Sequence, residues 1–209
     1  MKLLTLPHAQ QARTWPASGR VILAQYDAES VIVYQAYRPS IGRFAVEHQR
    51  FGGDFQLTRM SWIKPNFLWM MYRSGWGTKP GQDITLAIRL KRSAFDVILA
   101  KGVHSTFEAG AYSSREQWQR EVKSSDVRLQ WDPDHDPSGA PMKRRAIQLG
   151  LQGPSLASYA TDWILGIEDI SGFVAEQRSR IGSPDLLVAA ESVYPVSDKS
   201  VASRLNLAF

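Results

Sequence analysis

Short blocks of β-branched and aromatic residues dominate the first part of the chain. Residues 20–26 (RVILAQY) and 30–37 (SVIVYQAY) predict two strands, joined as a hairpin across Asp27-Ala28-Glu29. Residues 84–91 (ITLAIRLK) alternate apolar and basic positions, which predicts a half-exposed strand. Two more strands are expected over 127–131 and 146–151, flanking a polar loop, and a last edge strand over 192–196.

Helical spacing appears between these blocks. Ile41, Phe44, Ala45 and Phe51 predict a helix over 41–51 that stops at Gly52-Gly53. Residues 65–74 (PNFLWMMYRS) predict a second, with Pro65 in its first turn and Gly75 at its left-handed end. Ser93 is the expected N-cap of a helix running to Ala100, which Gly102 stops. Ser113 and Ser114, followed by Glu116 and Gln117, form a capping-box pattern that opens a helix through Val122. Apolar residues at 156, 159, 160, 163, 164 and 167 predict a helix over 155–167, and a further helix is expected over 173–181. Strands and helices are interspersed without strict βαβ alternation. The expected fold class is therefore α+β: a single mixed domain with a central, largely antiparallel sheet flanked by helices. Residues 1–19 form a lead-in, 20–175 the core domain, and 176–209 an extension packed on the core or at a homodimer interface.

Composition narrows the chemistry. With 209 residues, 44% of them hydrophobic and 22% charged, the chain has the make-up of a globular domain with a sizeable core, not of a disordered or fibrous one. Cysteine is absent, which removes disulfides, thiolate nucleophiles and Cys-ligated metals, and fits a cytoplasmic location. No apolar run approaches the length of a membrane span, so no membrane partner is expected. Met1–Pro7 holds one lysine and four apolar residues, too few for a signal peptide.

Charge is concentrated. Between Arg38 and Arg92 ten Lys/Arg face three acids, a net +7, while the remainder carries fifteen against seventeen, or −2. Such a segment raises the local concentration of phosphates, nucleotides or nucleic acid. Its densest part is Arg59–Gly81 (RMSWIKPNFLWMMYRSGWGTKPG), with tryptophans at 62, 69 and 76 and basic residues at 59, 64, 73 and 79. Aromatic faces beside cations suit stacking on a base with clamping of its phosphate. The candidate phosphate or nucleotide ligands are Arg38, Arg59, Lys64, Arg73 and Lys79. The candidate stacking residues are Tyr37, Trp69, Tyr72 and Trp76. His104, Asp132 and Glu168 are the candidates for acid–base catalysis. Glu168 is placed at the C-terminus of the 155–167 helix, where an acid opposes the helix dipole.

Several standard chemistries lack their residues. There is no P-loop, no G-x-S-x-G elbow and no dinucleotide fingerprint. The Gly-rich turn Gly75–Gly81 follows a helix instead of a strand, although its N–H groups suit an anion. The four histidines are scattered, unlike zinc ligands. Asp132–Asp136 begins like a calcium loop, but Pro137 and Lys143 stand where a glycine and a glutamate belong. No metal site is expected, and no motif fixes a cofactor.

The blocks YQAYRPSI, RMSWIKPNFLWMMYRSGWGTKPGQ, LAIRLKR, VRLQWDPDHD, RAIQLGL and WILGIEDIS resemble an uncharacterised bacterial and fungal family, a domain of unknown function, over roughly residues 20–175. More distantly, Tyr-x-x-Tyr-Arg on an early strand, a central aromatic segment and a late glutamate resemble the order in ADP-ribosyltransferase-like domains. That likeness implies NAD as ligand, Arg38 as its anchor, Tyr72 or Trp69 against the nicotinamide, and Glu168 as the late acid.

Three readings follow. The first is an enzyme acting on a nucleotide or an RNA end, which requires the cations to converge on one pocket with a carboxylate or histidine. The second is a non-catalytic RNA or modified-base binding module with an open groove. The third is a structural or interaction domain in which Trp62, Trp69 and Trp76 are all core.

Overall fold

The computed structural model describes residues 2–207. The chain runs β1 (Thr5–Pro7), α1 (His8–Gln11), β2 (Gly19–Arg20), β3 (Leu23–Ala24), β4 (Ser30–Tyr37), α2 (Pro39–His48), β5 (Ser61–Ile63) and α3 (Phe67–Ser74). It continues through β6 (Ile84–Lys91), α4 (Arg92–Lys101), β7 (Val103–His104), α5 (Arg115–Ser124), β8 (Val127–His135) and β9 (Pro141–Leu151). The last part holds α6 (Gly153–Ala160), β10 (Ile164–Asp169), α7 (Ser171–Arg178), β11 (Leu187–Ala189), β12 (Ser192–Val193) and α8 (Lys199–Leu205). No described helix is long and apolar enough to cross a membrane.

Two sheets carry the fold, which is α+β with mostly antiparallel pairing. One is antiparallel, in the order β10-β6-β4. The other has the order β2-β9-β8-β7, with β5 added antiparallel to β9. The larger core lies between the sheets: Val31, Val33, Leu86 and Ile88 of the first meet Leu129, Ile147, Leu149 and Leu151 of the second. A smaller core lies on the opposite face of the first sheet, where Ile32, Tyr34 and Ala87 pack on Phe67, Leu68 and Met71 of α3 and on Val174 of α7. β4 is buried on both faces over most of its length, which suits its continuous apolar run Val31–Tyr34.

Several elements differ from the sequence expectation. The 20–30 region is not a full hairpin. β2 pairs with β9, β3 with β12, and the link to β4 is confined to the Tyr26↔Val31 bridge and the Asp27–Ser30 turn. β4 pairs instead along its whole length with β6. The helix expected over 155–167 ends at Ala160, and residues 164–169 form the edge strand β10 on β6. Ile164 and Ile167 satisfy a helical spacing, but pairing with β6 decides their state. Helix α2 ends at Gln49 instead of Gly52, because Gln49 takes a left-handed backbone (φ 53°). Its side-chain amide then bonds both Ile167 N–H (2.8 Å) and Ile167 C=O (3.0 Å). Gln49 thereby occupies hydrogen-bonding groups on the free edge of β10, a position otherwise open to strand addition. The acidic run from Asp132 lies within β8, so it is strand and not a loop. The capping box is as expected: Ser114 Oγ accepts from Gln117 N–H, and Gln117 Oε1 accepts from Ser113 N–H.

Helix α3 is fixed at its start by two side chains. Asn66 Oδ1 accepts from Trp69 N–H at 2.6 Å, which makes Asn66 the cap and leaves Pro65 outside the helix. Glu191, far along the chain, accepts from Phe67 N–H (2.6 Å) and Asn66 Nδ2 (3.1 Å). At the other end Gly75 supplies the left-handed residue (φ 59°).

Candidate functional site

A cleft of about 680 Å³ opens between the end of β4, β5, α3 and the face of the β8–β9 pair turned away from the larger core. Four of the five cations expected at a phosphate site line it: Arg38, Arg59, Lys64 and Arg73. Each arrives by a different route. Arg38 is the residue before α2, and its guanidinium pairs with Asp54 at the rim (3.1 Å). Arg59 lies in the loop before β5. Arg73 is in the last turn of α3, exposed, and no carboxylate pairs with it among the described residues.

Lys64 is the least exposed of the four, at 4%. Its backbone is pinned to the middle of β4: Tyr34 N–H donates to Lys64 C=O (2.7 Å) and Lys64 N–H to Tyr34 C=O (3.3 Å). Among the described residues no acceptor lies within hydrogen-bond distance of its ammonium. Burial, helped by the nearby Arg73 charge and opposed by Asp132, lowers the Lys64 amine from an ordinary 10.5 to about 8.

The remaining walls are aromatic and amide. Trp62 of β5 faces Gly150 of β9, where a Cβ would stand 3.0 Å from the indole and 2.6 Å from Met60 Sδ. Glycine is therefore needed for Trp62 to lie against the sheet. The inner end holds a hydrogen-bonded chain: Tyr159 OH donates to Gln35 Oε1 (2.6 Å), Gln35 Nε2 donates to Ser61 Oγ (2.8 Å), and Ser61 Oγ meets Tyr37 OH at 2.7 Å. Burial pushes the Tyr37 phenol well above its ordinary range. On the β8–β9 wall Gln130 and Gln148 sit directly opposite each other and line the cleft. Asp132 is behind them, accepting Gln130 Nε2 on Oδ1 (2.8 Å) and Gln148 Nε2 on Oδ2 (2.7 Å).

The other candidates lie elsewhere. Lys79 turns back on α3, where its Nζ donates to Arg73 C=O at 2.8 Å and so caps the helix C-terminus. Trp76 is a core residue with a left-handed backbone (φ 54°); its indole N–H donates to Pro137 C=O and its ring packs edge-on to Phe67. Trp69 is buried beside Tyr72 and His135 in a parallel aromatic group, with the Tyr72 and His135 centroids 3.4 Å apart. Tyr72, half-exposed, forms the outside of that group, and neither it nor Trp69 lines the cleft. Trp62 is the tryptophan that does. His104 is buried on β7 against Tyr112, and burial lowers its imidazole below the ordinary range. Glu168 is exposed on β10, opposite Ala87, and faces a separate groove with Lys2, Leu3 and Arg89. The expected grouping of Arg38, Tyr72 or Trp69, and Glu168 around one ligand is not formed, because residues 164–169 are the edge strand β10, which β6 separates from β4.

Sequence reasoning missed the amide and hydroxyl side of the cleft: Ser61, Gln130 and Gln148. One signal was available, since the two-residue period of a strand places Gln130 and Asp132 on one face.

The family model described as a domain of unknown function (DUF4291) matches residues 21–196, and the chain belongs to that family. No curated protein matches the chain. The more distant likeness to ADP-ribosyltransferase-like domains has no support in these findings.

Proposed function

We propose, from the premise of a family whose description assigns no activity, that the cleft binds the phosphate groups of a nucleotide or of an RNA end and that the chain is an enzyme acting on that ligand. The observation that carries this reading is Lys64. Its side chain is buried, while its ammonium has no internal partner and opens on the cleft that Arg38, Arg59 and Arg73 also line. A buried charge is normally paired. An anion in the cleft supplies the missing partner and offsets the repulsion between Lys64 and Arg73. The cleft volume of about 680 Å³ lies in the range of small-ligand sites. Trp62 and Tyr37 offer aromatic surface for a base, and NAD, with its diphosphate, is one ligand of this class.

The enzymatic part of the reading rests on the same amine. A lysine brought to about 8 can hold or release a proton near neutral pH, which suits acid–base catalysis. His104 and Glu168 lie outside the cleft, and Asp132 reaches it only through two glutamines. Lys64 is thus the proton-exchanging group best placed toward a bound ligand.

Titration calorimetry with ATP and with a short 5′-phosphorylated RNA tests the reading. A charge-assisted hydrogen bond is worth about 1.5–3 kcal/mol, so Arg73→Ala should weaken binding by about ten- to a hundredfold. Equal binding by Arg73→Ala and the unmodified chain would place the ligand elsewhere.

A further inference from the structure

The cleft carries information on one wall that its cations do not. Gln130 and Gln148 are cross-strand partners, and both amides are anchored on the two oxygens of a single carboxylate, Asp132. A carboxylate accepts hydrogen bonds and donates none, so only the Nε2 end of each amide can face it. The orientation of both amides is therefore determined. Their Oε1 atoms are left without a hydrogen-bond donor among the described residues, on side chains that line the cleft. This wall presents two adjacent acceptors in the cleft that Lys64 and Arg73, whose charges call for an anion, also line.

Resting on the phosphate-binding reading above, we propose that the Gln130–Asp132–Gln148 unit selects a ribonucleotide with free vicinal hydroxyls, the two glutamine oxygens accepting from the 2′- and 3′-OH groups while the cations hold its phosphates. Two acceptors fixed side by side match two adjacent donors. A 2′-deoxyribose edge leaves one of them unpaired and a 2′,3′-dideoxyribose edge leaves both. Asp132 is a positioning residue here. It acts by denying the amides their flipped orientation, in which Nε2 would face the ligand. The chemistry is shared by a free nucleotide and by the 3′-terminal ribose of an RNA, whose neighbouring phosphate lies within the same unit. An internal stretch of strand, lacking the free diol, does not fit it.

Titrations of ATP, 2′,3′-dideoxy-ATP and inorganic tripolyphosphate into the intact protein test this. Leaving two acceptors unpaired should weaken dideoxy-ATP relative to ATP by about tenfold or more. In Asp132→Asn, whose amide can donate as well as accept, the ratio should fall toward one. Gln148→Met, which keeps side-chain length and removes an acceptor, should lower the same ratio and guards against misfolding of the first variant. A ratio near one in the unmodified protein, with tripolyphosphate still bound, overturns this inference and leaves the phosphate reading standing. A large ratio unchanged in both variants overturns the assignment to these residues. Failure of all three ligands to bind removes the phosphate reading and this inference with it. Competition against ATP by a tetraribonucleotide, abolished when its 3′ end is dideoxy, assigns the diol to an RNA end; no competition by either form assigns it to a free nucleotide.

Discussion

Lys64 and Arg144 are both 4% exposed cations, and they have opposite surroundings. Arg144, on β9, is satisfied from within. Asp134 accepts from its Nε at 2.7 Å and stands 2.6 Å from its Nη2 in an ion pair, Pro16 C=O accepts from its Nη1 at 2.8 Å, and its guanidinium lies 5.4 Å from the Trp15 ring centre. Lys64 has no such partner and faces a cleft. The fold thus pairs a buried charge where it ties the N-terminal segment to β8 and β9. It leaves another unpaired where the surface opens. Burial alone does not mark a functional cation; burial with unmet hydrogen-bonding capacity in an accessible cleft does.

The largest test of that contrast removes a partner. Asp134→Ala strands the Arg144 charge and should lower unfolding free energy by about 3–5 kcal/mol, measured by urea denaturation. A change under about 1 kcal/mol would mean that Arg144 is not a structural charge.

The opposite sign is expected at the other site. The folded-state amine of Lys64 sits at about 8 against an ordinary 10.5, so folding discourages its protonation. The penalty is complete below pH 8, fades between 8 and 10.5, and is gone above. Its upper size is about 3 kcal/mol, at about 1.4 kcal/mol for each unit of lowering. Lys64→Met should therefore be more stable than the unmodified chain at pH 7, by up to that amount, with the advantage shrinking toward pH 10. Denaturation curves at both pH values measure it. A variant less stable at pH 7 would contradict the unpaired-charge account.

The smallest effect belongs to Glu168. Glu168→Gln should leave nucleotide affinity unchanged within error in the same titrations, since the side chain faces a different groove. A tenfold loss would restore it to the site.

These regions also differ in how far the sequence discloses them. β4 and β6 are legible because their composition and alternation are local, and so is α5, whose Ser114 cap and Gln117 lie three residues apart. β10 was not: Ile164 and Ile167 stand three apart, a helical spacing that a regular strand would split between its faces, and only pairing with the distant β6, with a register shift between Ile164 and Gly166, makes the segment a strand. Within the cleft, the cations of the +7 segment could be read from charge, and four of them meet there. The glutamine wall could not, because uncharged amides carry no pattern until Asp132 orients them. Nor could the separation of the tryptophans, of which Trp76 packs on Phe67, Trp69 joins His135, and Trp62 alone lines the cleft.

The affinity of ATP at pH 7.5 and pH 9.5, at constant ionic strength, probes the central claim most directly. If protonated Lys64 holds the phosphates, binding falls by about tenfold or more across that interval, because the free amine titrates near 8. Lys64→Met then binds weakly and equally at both values. Equal affinity at the two pH values in the unmodified protein, or undiminished binding by Lys64→Met, would contradict the account.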